Sequence, residues 1–330
     1  MLACELIDHN GEELLRIMNQ YVSDWGWEDE FSQWMANDCT VCTTLVDTIV
    51  PGRIRDPKEA AAVAERLGYE DPFLAVREPF QMWGIQGDES LAEKLPFVKV
   101  GLPGVFVTPD VTPYKKRKVR ILNGAHTAFV PGSWVAGFDI VRDCMHDETV
   151  RGFMNTMLYD EVIPTLAADL DVEDCKAFAA AVENRFDNPF IDHALLSICL
   201  NSTAKWRARD LPTLKDYVAE TGNLPKCLAT SLATLIAFYT QELVAREGDG
   251  LHLRRADGTE YTAQDDAFVL DFYAAHAGAD DTELVHDVLT NEQMWGEDLT
   301  QITGLEEFVV NALTVVRVEG AKQAFANAQA

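Results

Sequence analysis

No stretch of this chain approaches the ~18 consecutive apolar residues that a membrane-crossing helix requires, so a helical membrane protein is excluded. The first ten residues, Met-Leu-Ala-Cys-Glu-Leu-Ile-Asp-His-Asn, carry neither a basic region nor an apolar core, so they do not read as a secretory signal and a cytoplasmic protein is expected. Bases are scarce: 27 Lys and Arg stand against 54 Asp and Glu, a formal net charge of −27. Such a surface repels nucleic acid and anionic lipid, so neither is an expected partner. The seven cysteines are odd in number and irregular in spacing, which excludes a disulfide framework. Cys39-Thr-Val-Cys42 is a lone CxxC with no second pair or histidines at ligand spacing, so buried thiols are expected and no metal. Internal repeats and low-complexity tracts are also lacking.

What is present is a chain of 330 residues, 48% hydrophobic and 25% charged, long enough for roughly two domains with a sizeable core. Leu14, Leu15, Met18 and Val22 recur at helical spacing over 11–23, with Asn10-Gly11 before them as a turn or cap. A second short helix is expected over 28–35 and a β-branched strand over 43–50. Pro57 suits the first position of a helix that Gly68 closes. Extended segments are expected over 79–85 and 97–107. Beyond Pro113 the pattern is helical over 118–130, 146–168, 172–186, 190–205, 214–220, 225–246, 263–275, 282–289 and 305–324. A hairpin-like interruption at 251–261 carries the turn Asp257-Gly258. The fold class expected is α+β, with residues 1–112 mixed α/β and residues 113–330 a mostly α-helical domain. A doubly wound nucleotide-binding domain opens with a Gly-rich strand–turn–helix. The nearest candidates, Gly84-Ile-Gln-Gly87 and Gly101-Leu-Pro-Gly104, do not fit G-x-G-x-x-G, and neither is expected to lead into a helix.

The densest chemical information lies at Tyr114-Lys-Lys-Arg-Lys118-Val-Arg-Ile-Leu-Asn123-Gly-Ala-His126. On an α-helix Asn123 and His126 stand about 60° apart around the axis, and Lys118 about 80° from His126 on its other side. All three then share one broad sector of an otherwise apolar helix, where unpaired polar groups are costly. Two readings stand. One is a solvated basic helix start with a satisfied asparagine and histidine. The other is a lysine general acid/base, an asparagine that polarises a carbonyl and an orienting histidine, a set suited to hydride transfer without a metal. A lysine in that role needs its pKa lowered, and Lys115, Lys116, Arg117 and Arg120 are the cations at hand. Asp143, His146 and Asp147 form a second cluster, but on a helix start, where acids are favoured by the dipole.

Lys118-x4-Asn123-x2-His126 resembles the Lys-x4-Asn-x2-His signature of the long-chain mannitol dehydrogenase family of polyol and sugar-acid dehydrogenases. Further stretches agree in order: Cys4-Glu-Leu-Ile-Asp-His-Asn-Gly11, Thr44-Leu-Val-Asp47-Thr-Ile-Val50, Glu78-Pro-Phe-Gln-Met-Trp-Gly-Ile-Gln86, Arg185-Phe-Asp-Asn-Pro189 and Trp295-Gly-Glu-Asp-Leu-Thr-Gln301. Within the family the likeness is greatest to the branch that interconverts D-tagaturonate and D-altronate with NAD; fructuronate reduction and polyol oxidation are the alternatives. The resemblance implies that Lys118 is the general acid/base, that Asn123 and Asn10 polarise the carbonyl, and that His126 contacts a substrate oxygen. It implies that Asp47 lines the site, although Thr48 stands where many relatives have Arg. Ser197-Ile-Cys-Leu-Asn201-Ser-Thr replaces the polyol members' Arg-Ile-x-x-Asp-Gly-Ser, and Lys205 or Arg207 after it is expected to meet the carboxylate of a sugar acid. His193 is a further candidate for the cleft. Relatives place a Rossmann half before the Cys-Glu-Leu motif. The chain is therefore also read as a fragment without activity of its own, or as one that pairs with a separate nucleotide-binding chain. Its orphaned sheet edges would favour self-association.

Overall fold

The computed structural model describes residues 1–5, 7–27, 29–50, 52–54 and 56–330. The chain forms two compact units, Met1–Lys116 and Arg117–Ala330.

The first unit is mixed α/β. Its opening helix is Asn10–Asp24, so Asn10 and Gly11 lie within the helix rather than before it; His9, with left-handed backbone, makes the turn. A Cβ on Gly11 would lie 2.3 Å from the Thr43 backbone nitrogen, so only glycine lets the helix start run against that segment. The next helix spans Asp29–Asp38; its expected start at Glu28 lies outside the described residues. Pro57–Leu67 follows with Asp56 as N-cap and Gly68 in left-handed backbone at its end. The sheet has Met82–Gln86 in the middle, antiparallel to Thr44–Asp47 and parallel to Val105–Thr108. Parallel neighbours cannot be joined by a tight turn. The link here is made by the short helices Glu89–Lys94 and Pro96–Lys99. Two expectations are corrected by this link. Gly87 does lead into a helix, and 97–107 is extended only from Val105, because Pro96 presets the first position of a helical turn.

The second unit is mostly helical. Its centre is Lys226–Tyr239, in which every residue from Cys227 to Tyr239 is buried. A helix apolar on all sides needs neighbours on all sides. Gly124–Val135, Leu305–Glu319 and Ala321–Ala328 supply them. The approach of Gly124–Val135 is set by Gly132, where a Cβ would lie 2.5 Å from the Phe325 ring and 2.9 Å from the Thr234 side chain. The N-terminus of Lys226–Tyr239 is capped by Glu161, whose carboxylate accepts from the backbone N–H of Cys227 (2.7 Å) and Leu228 (2.9 Å).

Several helical expectations are revised. The pattern over 225–246 ends at Tyr239, and Glu242–Glu247 is a strand, antiparallel to Gly250–Arg254, which is antiparallel to Glu260–Ala263. Apolar and polar residues alternate at Leu251-His-Leu-Arg254 and at Glu260-Tyr-Thr-Ala263, and the strand pairing of these segments extends to Glu242–Glu247 in place of a longer helix. The segment 146–168 is split among Glu148–Thr156, a π-helical Met157–Val162 that carries Glu161, and a 3-10 turn at Pro164–Leu166. The segment 190–205 is helical only at Leu195–Ile198 and from Ser202 to Arg209. Gly320 breaks 305–324 into Leu305–Glu319 and Ala321–Ala328. Val172–Phe186 is a helix with the bounds expected.

Two outcomes follow. Gly132→Ala forces its methyl group into Phe325 and Thr234 and should lower stability by about 1–3 kcal/mol in denaturant titration. Burial, offset only in part by its two N–H donors, raises the Glu161 carboxyl to about 7. The folded state therefore holds a proton that the unfolded chain has released above about 4.5. Stability of the wild type relative to Glu161→Gln should thus fall as pH rises from about 4.5 to about 7 and level off above it, read as the difference in Tm. A flat difference across that window would show that Glu161 is charged throughout.

Candidate active site

Lys118, Asn123 and His126 all belong to the second unit. They do not lie on one regular α-helix. Lys118–Asn123 is π-helical, and the α-helix Gly124–Val135 begins only after it. In an α-helix the side chains of residues 118 and 123 would stand about 140° apart. The wider i→i+5 turn brings residue i+5 back towards the azimuth of residue i, so the π-turn swings Lys118 and Asn123 towards one face. A backbone detour of this kind is rare and frequent at functional sites. Lys118 and Asn123 are both half-buried.

His126 is 6% exposed. Its ring stacks on Phe186 at a centroid distance of 4.0 Å and meets the edge of His193 at 5.3 Å. Its Nε2 has no hydrogen-bond partner among the described residues. Burial first, and then the positive charges of His193, Arg209, Arg185 and Lys205, hold this imidazole well below its ordinary range. The ring is therefore neutral at pH 7, with one buried nitrogen ready for a partner.

The neighbouring cations are mostly spoken for. Lys115 pairs with Asp8, Arg117 pairs with Asp174 and lies 4.6 Å over the Phe178 ring, and Arg120 bonds Thr213 and Asp216. Three of the four bases named as neighbouring cations of Lys118 are thus paired with carboxylates. Lys205 and Arg209, four residues apart on the Ser202–Arg209 helix, differ in this respect. Lys205 donates to the Ile198 carbonyl (2.9 Å) and Arg209 to Thr127 Oγ (3.0 Å), which in turn donates to the Asn123 carbonyl (2.9 Å). Burial lowers both bases, and for Lys205 the charge of Arg209 adds to it.

Arg207 does not share this face. It is exposed and packs on Gly296, where a Cβ would lie 2.3 Å from its guanidinium. The i+2 residue of a helix points away from residue i, whereas i+4 returns to it. Arg209, not named from the sequence, is thus the partner of Lys205, and the signal that could have found it is that spacing. Asp210 was also missed. It is 2% exposed, burial pushes its carboxyl well above the carboxylate range, and one oxygen would lie 2.9 Å from a Cβ on Gly124. The Asp143, His146 and Asp147 cluster is structural: Asp147 caps Glu148–Thr156 and pairs with Lys322, and His146 meets Asp187 at 2.6 Å.

Asn10 and Asp47 lie in the first unit. Asn10 is 5% exposed; it donates to the carbonyls of Glu5 and Thr44 and accepts from the Thr44 N–H, each at 3.0 Å. Its amide ties the helix start to the strand. Asp47 ends the Thr44–Asp47 strand and is 6% exposed. Thr48 donates to the Phe80 carbonyl (2.8 Å). The strand–turn–helix at Met82–Lys94 does not fit a pyrophosphate: the Asp88 carboxylate already accepts from the Leu91 N–H (3.1 Å) at the helix N-terminus, where a phosphate would need that donor and would meet like charge. Among the described residues no three His, Cys, Asp or Glu side chains converge as a metal site.

The family model for the mannitol dehydrogenase Rossmann domain matches residues 1–99, and that for the mannitol dehydrogenase C-terminal domain matches residues 110–317. Among curated proteins, an altronate oxidoreductase of Yersinia enterocolitica is 41% identical over 99% of this chain and 65% of its own length. Proteins of the same name from Enterobacter and Escherichia coli are 42% identical over 98% of this chain and 65% of theirs. The chain thus spans about two-thirds, 65%, of the length of these relatives. Among solved structures, Pseudomonas fluorescens mannitol 2-dehydrogenase, in a ternary complex with NAD and D-mannitol, is 21% identical with a TM-score of 0.70, over 91% of this chain and 56% of that one. A substrate-free D-sorbitol dehydrogenase is 19% identical with a TM-score of 0.77, over 98% of this chain and 62% of that one. Both share its fold: a Rossmann-type unit followed by a mostly helical one. With the C-terminal model covering most of the chain and the Rossmann model preceding it in order, the chain belongs to the mannitol dehydrogenase family.

Proposed function

We propose that the chain carries the substrate-handling part of an NAD-dependent oxidoreductase that interconverts D-tagaturonate and D-altronate without a metal. What carries this reading is the π-helical turn that sets Lys118 and Asn123 on neighbouring azimuths directly ahead of the buried, neutral His126. The 41–42% identity to altronate oxidoreductases supports the choice of substrate. Bound NAD(H) would supply or accept the hydride. The strand–turn–helix at Met82–Lys94 offers no cradle for its pyrophosphate.

The chain's own residues handle the proton and the charge. In reduction, Lys118 protonates the oxygen that gains negative charge; in oxidation it removes the same proton. The amide N–H groups of Asn123 hold that oxygen, an interaction strongest when the oxygen is charged. His126, neutral and with Nε2 buried, donates to or accepts from a neighbouring hydroxyl and so orients the sugar chain. Phe186 packed on one face of the ring keeps it in place.

Lys118→Met should lower kcat for D-tagaturonate reduction, followed as NADH consumption, by about 10²- to 10⁴-fold, the usual worth of a positioned acid/base. A loss below tenfold would remove the lysine from the proton step. The ring protons of His126 should show no titration in NMR spectra of the ligand-free protein between pH 6 and 8. Because its folded pKa lies below the unfolded value near 6.5, the group's contribution to stability is present above that pH and is lost as pH falls below it. A His126 titrating near 6.5 would contradict the burial on which its role rests.

A further inference from the structure

A helix that opens on aspartate ordinarily turns that carboxylate onto its own first N–H groups. Leu211–Thr221 opens on Asp210 and does not: the side chain makes no capping bond, and Pro212 in the first turn has no N–H to give. The backbone of Asp210 is nonetheless fixed. Its N–H donates to the Trp206 carbonyl and its carbonyl accepts from the Leu214 N–H, both at 2.9 Å. The carboxyl is turned inward, 2% exposed, with Oδ2 lacking any hydrogen-bond partner among the described residues. A buried acid that gives up its cap and gains no bond at that oxygen is costly to keep.

What it faces is the end of the π-helical segment Lys118–Asn123. The N–H of Gly124 closes that turn on the Val119 carbonyl. A Cβ on Gly124 would lie 2.9 Å from Asp210 Oδ1 and 3.5 Å from the Val119 oxygen, so the carboxyl occupies the space that any other residue there would fill. The middle of the turn is held from the same helix: Arg120 donates to the Thr213 hydroxyl and, at 3.2 Å, to Asp216. Residues 210, 213 and 216 recur every three positions and so share one side of that helix. Burial pushes the Asp210 carboxyl well above its usual range, against the opposing pull of Arg209 and Arg120. In its neutral form the acid needs no counter-ion in this place.

We infer that Asp210 is a positioning residue for the reaction: with Thr213 and Asp216 it clamps the π-turn, and through the turn it sets where Lys118 and Asn123 stand. The inference rests on the reading of those two residues as the groups that handle proton and charge. A π-turn has no preference of its own to hold it. Left alone, the segment would relax to an α-helix, in which residues 118 and 123 stand about 140° apart. Gly124 gives the room, Arg120 ties the middle of the turn to the clamp, and Asp210 fills the space at its end. Asp210 acts only through the turn.

Two measurements on the whole chain test this: deuterium exchange of the Gly124 amide, followed by NMR, and kcat and KM for D-tagaturonate reduction with NADH. Asp210→Ala should speed Gly124 exchange by about tenfold or more while leaving the amides of Lys226–Tyr239 as they are. It should lower kcat about 10- to 100-fold, the effect of displacing a reacting group by about 1 Å, with KM changed less than about threefold. Asp210→Asn, which keeps the shape without the charge, should recover most of both losses. If Asp210→Ala proves too unstable in a thermal melt, Gly124→Ala reaches the same contact from the other side: its methyl drives the carboxyl away and should cause the same two losses. Unchanged exchange at Gly124, or exchange that quickens equally across Lys226–Tyr239, would overturn the clamp whatever the activity. Faster exchange at Gly124 with kcat unchanged would overturn the positioning role. No turnover by the unsubstituted chain would overturn the reading of the site and the positioning role with it, while exchange at Gly124 still decides the clamp.

Discussion

The contact on which the helical unit depends is the close approach of two helices buried on nearly all sides, Gly124–Val135 and Lys226–Tyr239. It is possible only because Gly132 leaves room for Phe325 and Thr234. Burying a helix so completely removes water from its ends as well, and the donors at the start of Lys226–Tyr239 must then be met from within. Glu161 meets them from a π-helical segment, a widened turn that accommodates an inward carboxylate. His126 lies six residues, less than two turns, before Gly132 on the same helix.

The candidate site extends the same economy of water. His126 is neutral because it is dry, and it is dry because Phe186 and Phe129 pack around it. Positive groups collect beside it, whereas the excess acids of the chain are mostly on the solvated surface, where they cost little.

A surprising amount of this was legible in the order of residues. The helix Val172–Phe186 has the bounds its periodicity implies, since Asp171 caps it and its apolar stripe is long enough to outweigh end effects. Lys118, Asn123 and His126 stood out because polar residues interrupt an apolar run at helical spacing. What was misread is instructive. Glu242–Glu247 continues an apolar helix without a break strong enough to see, yet it is the edge strand of a sheet because Gly250–Arg254, itself backed by Glu260–Ala263, pairs with it. Lys205 and Arg207 were named as alternatives; the helix sends the two to different faces, and Arg209 is the residue that returns to the face of Lys205.

The sequence by itself determined the type of each unit, the residue types of the site and their order along the chain, because these depend on local periodicity and on composition. Only the tertiary structure decided that residues 118–123 form a π-turn, that Asn10 spends its amide on the strand beside it, and that Asp210 and Arg209 lie next to the site helix. Each of these arises from packing between segments far apart in the chain. A π-turn is not favoured by any six residues alone; it is accepted where neighbouring helices must be met out of register. The histidine was visible in the sequence, but its neutrality was not, because desolvation is a property of everything folded around it.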